Sequence, residues 1–130
     1  MPEPKKVVAV LDDLMFTVKI NEAAKRLGFQ IVFVKTETDV YEQAKQHPSL
    51  IILDLNCTAV PMLQVAQKLK SDPAYKGISV IAYLSHVQVD LKQEAQNAGL
   101  DMVMARSAFS RKAPTVVSML PSPILTSRMR

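Results

Sequence analysis

The stretch SLIILDLN, residues 49–56, sets the aliphatic run Leu50, Ile51, Ile52 and Leu53 directly before the carboxylate of Asp54. A short, unbroken apolar run fits a strand covered on both faces, as in a parallel sheet between helices. An ionised acid at the end of such a strand is costly unless something pairs with it. What Asp54 faces is therefore a question about function.

Runs of the same kind recur at Lys6–Leu11, Gln30–Val34, Ile78–Leu84 and Met102–Ala105, which with Leu50–Leu55 predicts five strands. Helical patterns separate them. Phe16, Ile20, Ala24 and Leu27 fall on one helical face that Gly28 terminates, since helices commonly end on a residue tolerant of positive φ. Val40, Tyr41 and Ala44 share the inner face of a second helix that ends before Pro48. The third helix takes Pro61 in its first turn, buries Leu63, Ala66 and Leu69, and stops near Ser71-Asp72-Pro73. A fourth runs from about Val87 to Ala98, with Leu91, Ala95 and Ala98 inward and Gly99 as its cap. Strands alternating with helices predict an α/β fold with a parallel sheet, because parallel neighbours need a crossover connection.

Composition bounds the alternatives. A chain of 130 residues, 48% hydrophobic, is the length of one domain, read as residues 1–120 followed by an extended tail over 121–130. No apolar run reaches the ~20 residues that span a bilayer, and the opening MPEPKK lacks the apolar stretch of a signal peptide, so a cytoplasmic protein is expected. The single cysteine, Cys57, has no partner for a disulfide or a zinc site and is read as a bystander. The net charge of +4 comes from lysines and arginines scattered on helix faces, with clusters only at Arg111-Lys112 and at Arg128 and Arg130. Without interleaved aromatics, nucleic-acid binding is not expected. The first loop, DDLMF, offers no glycine or hydroxyl cluster to cradle a nucleotide or flavin phosphate.

In open parallel sheets ligands bind outside the carboxyl ends of the strands. The polar residues gather there: Asp12 and Asp13 after the first strand, Asp54 at the end of the third, Ser85 after the fourth and Arg106 after the fifth. An aspartate following a strand also serves as an ordinary helix cap. Three carboxylates at one edge repel one another unless a cation joins them, and an all-oxygen donor set favours a hard ion such as Mg²⁺. With that charge offset, Asp54 becomes a nucleophile toward phosphorus, Ser85 a hydrogen-bond donor to the phosphoryl group and Arg106 its ion-pair partner.

The stretches VVAVLDDL (7–14), HPSLIILDLN (47–56), VIAYLS (80–85) and EAQNAGLDMVMAR (94–106) together resemble the receiver domains of two-component response regulators, the CheY-like domains. The resemblance implies a flavodoxin-like, doubly wound five-stranded parallel sheet in the order 2-1-3-4-5 with five helices. It implies Asp54 as phosphoacceptor, Asp12 and Asp13 as the acidic pair that holds Mg²⁺, Asn56 as the residue lending its backbone carbonyl to the metal, and Ser85 as the switch hydroxyl. A histidine kinase or phosphotransfer protein is the implied donor and an unnamed protein the downstream target, and a homodimer is compatible with the family. The only catalysis implied is that of its own phosphorylation and dephosphorylation. The chain departs from the family where a Lys-Pro pair gives way to Arg106-Ser107, where Val103 replaces an aromatic switch residue, and where His86 follows the switch hydroxyl. These departures leave an alternative open, a divergent receiver acting as a phosphorylation-independent interaction module.

Overall fold

A computed structural model of the chain describes residues 6–26, 28–58, 60–75, 77–84, 89–105 and 107. The strands are β1 (Lys6–Val10), β2 (Gln30–Val34), β3 (Leu50–Asp54), β4 (Ser79–Leu84) and β5 (Met102–Ala105); the helices are α1 (Leu14–Arg26), α2 (Glu37–Ala44), α3 (Met62–Ser71) and α4 (Val89–Asn97). All strand pairs are parallel, as the alternation of strands and helices predicts, and their order is β2-β1-β3-β4-β5, as the resemblance implies. The described residues hold four helices. The expected fifth, Leu27, Ser85, His86, Val87, Arg106, the paired basic residues from Arg111 onward and the tail at 121–130 lie outside them.

Side-chain alternation along the central strands builds two cores, one on each face of the sheet. Val8, Val10, Ile51, Leu53, Val80, Ala82 and Leu84 point to the face covered by α2, α3 and α4. Val7, Ala9, Leu11, Leu50, Ile52, Ile81 and Tyr83 point to the other, where Phe16, Ile20 and Ala23 of α1 pack on them. Every residue of β3 is buried, which is why its sequence shows no polar alternation.

Local chemistry sets the helix ends. The Thr36 hydroxyl accepts from the Asp39 amide at 3.1 Å and caps α2, with Glu37 and Asp39 favourably placed near the positive end of its dipole. Gly28 and Gly99, at φ 78° and 96°, occupy the left-handed region just beyond α1 and α4. Helix α2 stops at Ala44, before Pro48 as expected, and His47 enters the left-handed region at φ 54° before the proline. One expectation needs correction. In α3, Val65 and Met62 join Ala66 and Leu69 in the core while Leu63 is half-buried, because the buried stripe follows the i, i+3, i+4, i+7 spacing that starts at Met62.

The far end of the sheet is pinned by one cation. Lys70 Nζ donates to the Ile78 carbonyl at 2.9 Å and to the Asp101 carboxylate at 3.2 Å, whose same oxygen accepts from the Val80 amide at 2.7 Å. This ties the end of α3 to the starts of β4 and β5, at the edge opposite Asp54.

Between α2 and α3, Lys68 Nζ lies 4.4 Å from the centroid of the Tyr41 ring, and the Tyr41 hydroxyl donates to Glu37 at 3.1 Å. Burial first, then the bond to Glu37 and its negative charge, push the Tyr41 phenol up to about 12 from its usual 10.0. A folded state that holds this proton more tightly contributes stability that is complete below pH 10 and lost as pH rises toward 12. Wild-type stability in urea is therefore expected to fall relative to Tyr41→Phe across that window. Parallel pH profiles for the two proteins would show that the phenol is not held.

Candidate functional site at the carboxyl edge of the sheet

The strand order reverses between β1 and β3, which are hydrogen-bonded neighbours with Val10 opposite Leu53. This is the topological switch point, where a crevice opens outside the strand ends. The acidic residues of the sequence sit on these two strands' exits.

Asp54 ends β3 at 8% exposure and is the one charged residue in the buried set among the described residues. Its Oδ1 accepts from the Asn56 amide at 2.9 Å, its carbonyl accepts from the Cys57 amide at 3.0 Å, and the Leu55 amide donates to the Tyr83 carbonyl of β4 at 2.9 Å. The chain thus turns tightly around the Asp54 carboxylate and supplies it with a backbone donor, which offsets part of its desolvation. Cys57 is buried in the core, consistent with its reading as a bystander.

Asp12 is exposed and Asp13 half-buried. Asp13 Oδ1 accepts from the Phe16 amide at 3.1 Å, and the Asp13 carbonyl accepts from both the amide and the hydroxyl of Thr17 at 2.9 Å. Asp13 is therefore the N-terminal cap of α1, whose first turn holds no acidic residue. The cap occupies one carboxylate oxygen and fixes the direction of the group.

Ser85 and Arg106 lie outside the described residues. Their predecessors Leu84 and Ala105 are register partners at the exits of β4 and β5, on the same edge as Asp54. Val103, which stands where an aromatic was expected from the resemblance, is half-buried against the core on the α3 and α4 face.

No pattern in the sequence pointed to the tilted aromatic pair directly beneath this edge. The rings of Phe16 and Tyr83 lie 4.8 Å apart between centroids, with 48° between their planes. Leu14 and Met15, on the first turn of α1, are 78% and 72% exposed beside the acidic residues.

The donor set is suited in kind to a hard divalent cation, being carboxylates and backbone oxygen with no soft ligand. Among the described residues no group of three or more His, Cys, Asp or Glu is gathered to hold a metal. An ion here would draw on fewer than three of these carboxylates, with Asp13 after β1, Asp54 at the end of the adjacent β3, Asn56 and water completing its shell, as Mg²⁺ tolerates.

No protein-family model matches the sequence, and no curated protein matches it. Solved structures do. The phosphorylated cyanobacterial phytochrome response regulator RcpA superposes with a TM-score of 0.81 at 20% identity, over 91% of this chain and 94% of that one. The chain has the receiver-domain fold. The same receiver fold is shared by the Mn²⁺-bound form of response regulator Rcp1, at a TM-score of 0.79 and 17% identity over 92% of this chain and all of that one. It is shared too by the chemotaxis response regulator CheY4 of Vibrio cholerae, at 0.78 and 14% over 92% of this chain and 100% of the other. No described helix of this receiver fold is long and apolar enough to cross a membrane.

Proposed function

We propose that this chain is a cytoplasmic receiver domain that accepts a phosphoryl group on Asp54 from the phosphohistidine of a histidine kinase or phosphotransfer protein. The observation that carries this reading is the burial of Asp54 at the exit of β3, beside the switch point of a receiver fold, with the Asn56 amide on its carboxylate. In the transfer, an Asp54 oxygen attacks phosphorus, the P–N bond to the donor imidazole breaks, and that nitrogen keeps the electron pair. Aspartate and phosphate are then joined as an acyl phosphate.

Asp13, Asp54 and the Asn56 carbonyl are the groups that would hold Mg²⁺, with Asp12 adding negative charge next to Asp13. When bound, the ion supplies positive charge against the phosphoryl oxygens and the clustered acids. Arg106 would pair with the phosphoryl group through its planar fork, and Ser85 would donate a hydrogen bond to it. The product acts through a partner protein, and no external substrate is turned over.

Incubation with acetyl phosphate is expected to add one phosphoryl group by intact mass when Mg²⁺ is present, and none when a chelator replaces it. Failure to form an adduct under either condition, with no chemical-shift response to beryllofluoride, would remove the phosphoacceptor reading and leave an interaction module.

A further inference from the structure

Phe16 touches Asp13 through its backbone and, through its ring, the strand residue paired with Asp54. Its backbone amide donates to the Asp13 carboxylate at 3.1 Å. Its ring, 4% exposed, packs at 4.8 Å on Tyr83, which is 1% exposed. Tyr83 is the register partner of Asp54, and its carbonyl accepts the Leu55 amide that begins the turn around the Asp54 carboxylate. One continuous set of contacts thus links the carboxylate that caps α1 to the one that ends β3.

We infer that Phe16, seated on Tyr83, is a positioning residue that fixes the Asp13 carboxylate relative to Asp54 for a divalent cation. The inference rests on the reading of this edge as a cation site. Hard cations such as Mg²⁺ demand near-ideal placement of their oxygens, and groups that orient ligands without touching the metal typically change its affinity 10- to 100-fold. An aromatic ring suits the task. It is rigid, and the tilted pairing of two rings prefers a defined offset, whereas an aliphatic side chain at position 16 would fill the space without setting an angle. Because the capped amide and the ring belong to one residue, a shift of the ring on Tyr83 moves the amide that aims Asp13. Asp13 and Asp54 are then adjusted together and not separately.

Titration with Mn²⁺, read from the resonance of the free ion and competed with Mg²⁺, tests this. Phe16→Leu and Tyr83→Leu are each expected to weaken Mn²⁺ binding roughly ten-fold, and the double variant little further, since either change breaks the same contact. Tyr83→Phe keeps the ring and is expected to bind as wild type. Val65→Ala, in the core on the opposite face, controls for destabilisation alone and is expected to leave affinity unchanged. In the unmutated protein, Mg²⁺ is expected to shift the Phe16 amide and the Tyr83 ring resonances more than any resonance of α2, a readout that survives if a variant fails to fold. Wild-type affinity in Phe16→Leu, or a Phe16 amide indifferent to Mg²⁺ in a protein that binds it, overturns the positioning role alone. A wild-type protein that binds no Mn²⁺ overturns the cation reading and the inference with it.

Discussion

Asp54→Asn is expected to abolish phosphoryl transfer from acetyl phosphate while leaving the fold and its melting behaviour intact. Asparagine matches aspartate in shape, and its amide oxygen can still accept from the Asn56 amide that now holds Oδ1 at 2.9 Å. The turn at Leu55 and Cys57 is built from backbone bonds that the change does not touch. What is lost is the anionic oxygen that attacks phosphorus, and a neutral amide is a very poor substitute. The loss should therefore be complete, unlike the partial losses expected from Asp12→Asn or Asp13→Asn, which alter only charge and metal holding. Trapping with hydroxylamine adds a second readout, because an acyl phosphate yields a hydroxamate at the modified residue whereas a phosphoserine does not. An undiminished adduct in Asp54→Asn, or a hydroxamate mapped to Asp12 or Asp13, would move the acceptor elsewhere and sink the assignment.

The five strands were legible because both faces of a parallel sheet are covered, and runs such as VVAV and LIIL cannot be exposed on either side. The carboxyl-edge residues were legible for a related reason: in a parallel sheet all strand exits share one edge, so Asp12, Asp13 and Asp54 are placed by topology before any side chain is located. The details of that edge were not. The Phe16–Tyr83 pairing joins a helix to a strand far away in sequence, and Tyr83 within VIAYLS reads simply as one more apolar residue of the run. Nor could the spacing decide how Asp13 divides its carboxylate between capping α1 and facing the crevice, since both uses need an acid at the same position. Lys70 shows the same limit. A lysine near the end of a helix reads as a solvated charge, yet its ammonium is largely covered and bonded to a carbonyl and to Asp101, a pairing that only the assembled edge brings about.

Ile51→Ala is expected to cost about 2–5 kcal/mol, the range for deleting a large buried aliphatic side chain. Ile51 is 0% exposed, on the middle strand of the sheet, with Val8 of β1 and Val80 of β4 as its register partners. Its side chain enters the core beneath α2, α3 and α4, where neighbours on rigid central strands have little freedom to close the cavity. Set against a total stability of about 5–15 kcal/mol, the change leaves a domain on the verge of unfolding at ordinary temperature. Ile51→Val, which removes one methylene, should cost only about 0.5–1.5 kcal/mol. Ile31→Ala, on the half-buried edge strand β2, should fall well below Ile51→Ala because part of the lost surface was already hydrated. Urea unfolding should show these differences as shifts of the midpoint at constant slope. The consequence for function follows from where Ile51 lies, three positions before Asp54 on the same strand. Burial of β3 on both faces fixes that carboxylate against the turn at Asn56, so phosphoryl acceptance in Ile51→Ala should fall only as the folded fraction falls and return when low temperature or an osmolyte restores it. A loss under 1 kcal/mol, or acceptance lost in protein that remains folded, would mean that β3 does not carry the site in this way.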